Sequence, residues 1–519
     1  MADCIVRGRT VFTRVVDRHT AATVEDGAVL VQDGLVRAVG PFEEARAAHP
    51  SLTVHGTGRE VVLPSFVNGH HHVGLTPVQL GSPDMPLELW FVTRMVCRAV
   101  DLYLDTLYSA FEMIASGCTT VQHIHGWLPG KLDKVMAGAN EVIRACDDVG
   151  MRMSYSFALR DQNRLVYMDD AEFVASLPQE LRPPMERHFA RFGMDVDDFM
   201  GMFDALTQQH HNKDRVGIEL APANLHWCSD AALERLADAS ERTDTPMHMH
   251  LLETQYQKEY ARRRGGGTAV EYIDRFKMLG PRMTLGHGVW LSERDIERIA
   301  ETGTNICHNC SSNFRLRSGV GPLNVWEAHG VNTAMGMDEA GINDDRDMLQ
   351  EMRMVLNAHR TPGTDDGVPT MAQVLRMATS GGAATTAFRG RIGTLEPSRP
   401  AVPRLGNAGA GRRPATGQDR GGHDDDVRRR GHLSERALHQ GRPRRRAGAP
   451  APGPHASPHR RGGRASGPVE TPHAPRRGVL RQVCRRRGAR AILRAKRAPL
   501  MALNLQDRAV SLAAVSEVP

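Results

Sequence analysis

The chain has 519 residues, 40% hydrophobic and 24% charged, which suits a soluble globular protein with one large domain and an accessory one. No run of about 18 apolar residues is present, so no membrane-spanning helix is expected, and residues 1–11 lack the basic, apolar, small-residue order of a signal peptide. Eight unevenly spaced cysteines do not look like a disulfide framework, and a cytoplasmic location is the default expectation.

The first 63 residues read as short strands at 5–13, 28–32, 35–39 and 60–63, with Asp33-Gly34 placed between two of them as a hairpin turn. From residue 64 to about 390, strand-like and helix-like runs alternate. Strands are expected at 61–68, 119–125, 152–159, 216–223, 247–252, 283–287, 304–307 and 333–337. Helices are expected at 104–116, 133–149, 230–243 and 293–302. This alternation predicts an α/β fold, and the number of strands suits a closed (β/α)8 TIM barrel. A doubly wound open sheet is the runner-up, but its phosphate-binding glycine fingerprint is absent.

Composition changes after residue 400. Residues 401–519 carry 25 Arg and one Lys against eight acids, a net +18, so the first 400 residues stand at −12 behind the overall +6. The acidic body shows no nucleic-acid footprint. The tail has no aromatic residue, one Ile and twelve Pro. It can be read as a disordered basic tail, as a nucleic-acid-binding arm, or as translation of GC-rich DNA in a shifted frame, and the last is preferred. His423-Asp424-Asp425-Asp426-Val427 could be encoded CAT-GAC-GAC-GAC-GT, which read one base later gives Met-Thr-Thr-Thr. Sequencing the gene across codons 390–410 tests this, and an intact frame would refute it.

Ligand-type residues stand at strand ends. His70 and His72 follow the apolar run 61–68, and in a strand residues i and i+2 share a side, so both can reach one ion while His71 points away. His250 closes the strand 247–252, with Glu253 three residues on; His287 and Asp338 end two later strands. Imidazoles and a carboxylate brought from four strand ends form a divalent-metal site, for Zn2+ or Fe2+. Satisfied core histidines are the bland reading.

These segments resemble the amidohydrolases. Val62-Leu63-Pro64-Ser65-Phe66-Val67-Asn68-Gly69-His70-His71-His72 is similar to their first-strand motif. His250-x-x-Glu253, Gly286-His287, His308-Asn309-x-x-Ser312-Asn313 and Asp338-x-x-Gly341-x-Asn343 are similar to motifs of the aminohydrolase and chlorohydrolase branch, which includes S-adenosylhomocysteine, guanine and cytosine deaminases and triazine hydrolases. The resemblance covers residues 1–400. It implies a barrel flanked by a small β-sandwich built from both chain ends, with limits at 1–63, 64–390 and 391–519, and with the C-terminal half of the sandwich due near Gly393.

The resemblance further implies one divalent metal, Zn2+ first and Fe2+ second, on His70, His72, His250 and Asp338. His287 would hydrogen-bond the metal-bound water, Asp338 would accept its proton, and Glu253 would protonate the ring nitrogen or leaving group. No lysine lies in 216–223 to bridge a second ion. The implied function is hydrolytic deamination, or dechlorination, of a nitrogen heterocycle. Alternatives are amide, urea or carbamate hydrolysis on the same site, or an inactive frame-damaged product. The expected partner is a small-molecule substrate, with no nucleic acid and no membrane, and a homo-oligomer is allowed.

Where many purine-type relatives have Pro-His-Ala-Pro-Tyr, this chain has Pro222-Ala223-Asn224-Leu225-His226, so Asn224 and His226 are expected to face the substrate in place of the missing histidine. Weaker substrate candidates are His123, His125, Trp90 and Asn313, with residues 75–91 as a lid. Cys307-His308-Asn309-Cys310 lacks a second pair for a zinc knuckle. Gly265-Gly266-Gly267 reads as a loop and His210-His211 as a solvated helix end.

Overall fold

The computed structural model describes residues 3–397, except 95–96, 127, 193, 212–214, 340–342 and 365. The tail at 401–519, Gly341, and the expectations resting on them lie outside the described residues. Five strands form the N-terminal sheet: β1 (Cys4–Val15), β2 (Ala21–Gln32), β3 (Leu35–Pro41), β4 (Thr53–His55) and β5 (Val61–Val62). The order is β3-β2-β1-β4, with β5 also beside β1. Asp33 and Gly34 have φ of +53° and +72°. A two-residue turn with both central residues left-handed matches the strand twist, and it sets Gln32 opposite Leu35. Ile5, Ala28, Leu30 and Phe42 pack together as the small core of this sheet.

The next nine strands make a ring. They are β6 (Phe66–His71), β7 (Cys118–His125), β8 (Arg152–Leu159), β9 (Val216–Ile218), β10 (Ala221–Pro222), β11 (Met247–Leu251), β12 (Met283–His287), β13 (Asn305–His308) and β14 (Thr333–Met335). β6, β7 and β8 pair in parallel, and β9 and β10 both lie against β8. β11 to β14 form a second parallel set. Parallel bridges Leu220↔Met247, Asn224↔His250 and His71↔Asp338 join the two sets. Backbone bonds confirm the closure: Met247 and Leu220 lie in register through His248 N to Leu220 O (2.9 Å), and Asp338 N donates to His70 O (2.9 Å). With β9 and β10 counted as one position, this is an eight-position barrel of the TIM type, and the open doubly wound sheet is excluded.

The run expected as one strand at 216–223 is broken at Glu219-Leu220. Glu219 is buried inside the ring, where its carboxylate accepts from Ser154 Oγ, from Gln122 Nε2 (3.1 Å) and from Ala387 N (2.9 Å). Pro222 lacks an N–H for the ladder. Elsewhere the periodicity holds: helix Leu132–Asp148 buries Val135, Ala139, Val142, Ile143 and Cys146 along one face, and truncating a buried aliphatic such as Ile143 to Ala costs about 2–5 kcal/mol. Three helices at Asp170–Ser176, Arg182–Arg191 and Val196–His210 were not foreseen.

Two local readings are corrected. Gly265 belongs to helix Gln255–Gly265, and the turn begins at Gly266, whose φ of +73° caps it. His210 and His211 do end a helix, but they are only partly exposed: His210 Nε2 lies 2.7 Å from Asn140 Oδ1, and His211 Nδ1 accepts from Ile218 N at 3.1 Å. Among the described residues, no helix is long and apolar enough to cross a membrane. The seven described cysteines are free thiols.

Candidate active site

The C-terminal ends of the barrel strands bring four expected residues together. His72 Nε2 lies 3.1 Å from His70 Nε2 and 3.0 Å from His250 Nε2. Asp338 Oδ1 is 3.3 Å from His72 Nε2 and 3.7 Å from His70 Nε2. His71, as the alternation required, turns away and sits 3.3 Å from Ser109 Oγ.

Backbone carbonyls fix the imidazoles. His72 Nδ1 donates to Ile124 O (2.6 Å), and His250 Nδ1 donates to Ala223 O (2.7 Å). A neutral imidazole carries one N–H, so both Nε2 atoms present bare lone pairs to each other at 3.0 Å. His70 does the same when its Nδ1 donates to His248 Nε2 at 2.9 Å. Burial and the neighbouring imidazoles hold His70 and His250 well below the ordinary histidine pKa, so added protons do not relieve the repulsion. A cation among the lone pairs does, and an ion bound at about 2.0–2.1 Å brings nitrogen ligands this close to one another. The donor set therefore fits a divalent metal.

The backbone is shaped for this contact. A Cβ on Gly336 would lie 2.5 Å from His70 Cβ and 2.4 Å from Asn309 Oδ1, so only glycine lets His70 occupy its place. His287 and Asp338 have φ of +75° and +54°, a left-handed conformation that costs non-glycine residues about 1–3 kcal/mol and gathers at functional sites.

Two further polar groups, His287 and Glu253, ring the cluster. His287 Nδ1 donates to Asn313 Oδ1 (2.9 Å), leaving Nε2 as an acceptor 3.7 Å from both Asp338 Oδ2 and Glu253 Oε2. Asp338 Oδ2 accepts from Ser312 Oγ (2.6 Å) and Oδ1 from Glu339 N (2.8 Å). Burial raises the Asp338 carboxyl, but these bonds oppose it and the carboxyl is held below its usual range. Glu253 goes the other way: burial, with the Asp338 charge nearby, pushes its carboxyl up to about 7. It accepts from Ser318 Oγ at 3.0 Å.

These groups floor a cavity of about 950 Å³, its open mouth included, whose walls include Trp90, Phe91, Arg160, Tyr167, Asn224 and His226. Asn224, His226 and Trp90 therefore face it as expected. The segment 75–91 contributes through helix Leu87–Arg94, and Trp90 both lines the cavity and packs on Leu316. Arg160 lies over Trp227, 3.9 Å from the ring centroid, and burial lowers it to about 9. Glu88 accepts from Tyr167 Oη (3.0 Å) and Thr254 Oγ1 (2.6 Å) at the cavity wall.

Other expectations are corrected. Asn313 does not line this cavity; it stands behind His287 and orients the ring. His123 and His125 line a neighbouring cavity instead, stacked on Tyr155 and Phe157, because strand alternation puts both on the face of β7 opposite Ile124. Sequence reasoning missed Arg160, Tyr167 and Glu88. Arg160 directly follows the end of β8, and that strand-end position is the signal that could have found it.

A match to the amidohydrolase family spans residues 61–402. The chain is 30% identical to the 8-oxoguanine deaminase of Pseudomonas aeruginosa over 386 residues, 72% of this chain and 80% of the relative. It is 28% identical to the 5'-deoxyadenosine deaminase of Methanothermobacter thermautotrophicus over 368 residues, 70% of this chain and 77% of the relative. In fold it is similar to the atrazine chlorohydrolase of Arthrobacter aurescens TC1, solved with zinc, with a TM-score of 0.65 at 21% identity over 76% of this chain and 85% of that one.

Proposed function

The chain belongs to the amidohydrolase family, and from that premise we propose that it is a metal-dependent hydrolase that deaminates, or dechlorinates, a nitrogen heterocycle. The carrying observation is the pair of bare Nε2 lone pairs of His72 and His250, held 3.0 Å apart by carbonyl-fixed tautomers. His70, His72, His250 and Asp338 would hold one divalent ion. Zn2+ is the first choice, in keeping with the zinc in the chlorohydrolase structure and with the nitrogen-rich donor set. When bound, such an ion supplies the Lewis acidity that makes water a nucleophile near neutral pH.

The chain's own residues do the rest. His287 Nε2, its tautomer set by Asn313, accepts a hydrogen bond from the attacking water. Asp338, held ionised, takes the water's proton. Glu253, raised to about 7, is about half-protonated at neutral pH, and the protonated form delivers its proton to the ring nitrogen or departing amine. Trp90, Phe91, Trp227 and His226 form an aromatic wall whose neighbouring rings are tilted by 32–49°, against which a heterocycle can pack, while Asn224 and Arg160 offer hydrogen bonds at its edge. The aromatic wall and the acid positioned for a leaving amine support this reading.

The domain limits proposed are 1–63, 64–390 and 391–519, with the N-terminal sheet as one layer of a small sandwich. In support, the chain returns beside β1, where Leu395 N donates to Thr13 O (2.8 Å) and Arg14 pairs with Glu396 (2.8 Å).

The test is metal content together with ammonia release from a panel of purines, triazines, pterins and ureas. We expect metal-dependent ammonia release from a purine, pterin or triazine, abolished by a chelator, and loss of the catalytic ion in a His70→Ala, His72→Ala double variant. Turnover that survives complete metal removal, or action confined to ureas and amides, overturns the proposal.

A further inference from the structure

We propose that the protein carries a second metal site, built from His308, Cys310 and His359 on the outer side of β13, that takes a thiophilic ion of the Zn2+ class. The site shares no ligand with the catalytic cluster and does not rest on the proposed function. In β13, successive side chains alternate. Cys307 faces inward, its Sγ 3.1 Å from where a Cβ on Gly69 would stand, so His308 faces the helices outside. There His308 Nε2 lies 2.8 Å from His359 Nε2. One ring nitrogen of each histidine and Cys310 Sγ fall within 4.8 Å of one another, and all three residues are buried.

Three separate elements fix the geometry. His308 ends β13, Cys310 opens helix Cys310–Arg315, and His359 caps helix Met348–Ala358. The sequence segment 307–310 attracts notice for its Cys-x-x-Cys spacing, but the useful pair is His308-x-Cys310, and its partner lies some fifty residues on.

Two further observations favour an ion over simple packing. His308 Nδ1 is buried without a hydrogen-bond partner, so the ring's polar contact is concentrated on the Nε2 that faces the cluster. Glu351 is also buried beside Cys310, its carboxylate accepting from Ser311 N through Oε1 at 3.1 Å. A cation at the cluster offsets that charge. Cys310 is a free cysteine, so the ion-free site holds a thiol. Binding forms one metal–sulfur and two metal–nitrogen bonds and releases the thiol proton to solvent. The competing reading, one imidazole donating to the other beside an idle thiol, binds nothing.

Cobalt(II) loading of the full chain separates these. The catalytic cluster contains no thiol, so a thiolate-to-cobalt charge-transfer band in the near ultraviolet reports the second site alone. We expect two cobalt ions per chain with that band in the wild type. Cys310→Ser should keep one ion and lose the band; His359→Gln should also fall to one ion. The His70→Ala, His72→Ala double variant should keep the band, which makes failure of the catalytic site distinguishable from failure of this one. A wild type without the band, or a band that survives in Cys310→Ser, overturns the proposal. If Cys310→Ser does not fold, His359→Gln carries the test, and two ions retained there also overturn it.

Discussion

Replacing Glu253 by Gln isolates proton delivery from everything else in the site. Glu253 is 4% exposed, and Gln has nearly its shape. Its amide oxygen can still accept from Ser318 Oγ, which lies 3.0 Å from the native carboxylate. Glu253 is not one of the four proposed ligands, so the metal should stay. What disappears is an acid that burial holds at about 7, half-protonated where the enzyme works. A positioned general acid contributes about 10²–10⁴-fold, or about 3–5 kcal/mol of barrier. We expect kcat for ammonia release to fall by about that factor, with metal content and melting temperature unchanged. A chlorinated substrate, whose leaving group needs no proton, should lose less. Wild type should also show an alkaline limb, because the proton-bearing form is lost as pH rises through about 7, and Glu253→Gln should lack it. A metal-replete Glu253→Gln enzyme with wild-type kcat would refute the assigned role.

Ser318→Ala removes the bond that favours the ionised form of Glu253; its carboxyl rises further, and the alkaline limb should move up by as much as about one pH unit, read from kcat/KM profiles. Gly336→Ala places a methyl against His70; metal content should collapse while far-ultraviolet circular dichroism stays close to wild type. Glu219 is buried and raised from 4.5 to about 7, so its native state binds the extra proton between those values and stability falls as pH rises through that window. Glu219→Gln does not titrate, and metal-free melting series at pH 5 and pH 8 should show it gaining on wild type by up to about 3 kcal/mol.

Much of the site was legible because its ligands obey strand geometry. His70, His72, His250 and Asp338 announce themselves as ligand-type residues at the ends of apolar runs, and the structure brings all four together. What failed to show is set by contacts distant in sequence. His359 has no local pattern that ties it to His308. Asn313 looked like a substrate group because motif position does not tell which face of His287 it touches. His123 and His125 share the strand-end rule but line another cavity. Arg160 and Tyr167 belong to a loop with no periodicity, and the break at Glu219 comes from a buried network with Ser154, Gln122 and Ala387 that spans 265 positions of chain between Gln122 and Ala387.

The ring is stitched from two parallel half-sheets, and the isolated bridges between them mark its two seams. His70 and His72 leave one half, and His250 and Asp338 leave the other. An ion held by all four, as proposed, would be a rivet through both halves, and its loss would convert a fastened cylinder into two plates with bare lone pairs pressed together at the join. Metal-free protein should therefore loosen first along the seams, where the amides of His248, His250 and Asp338 would exchange with solvent ahead of those inside either plate.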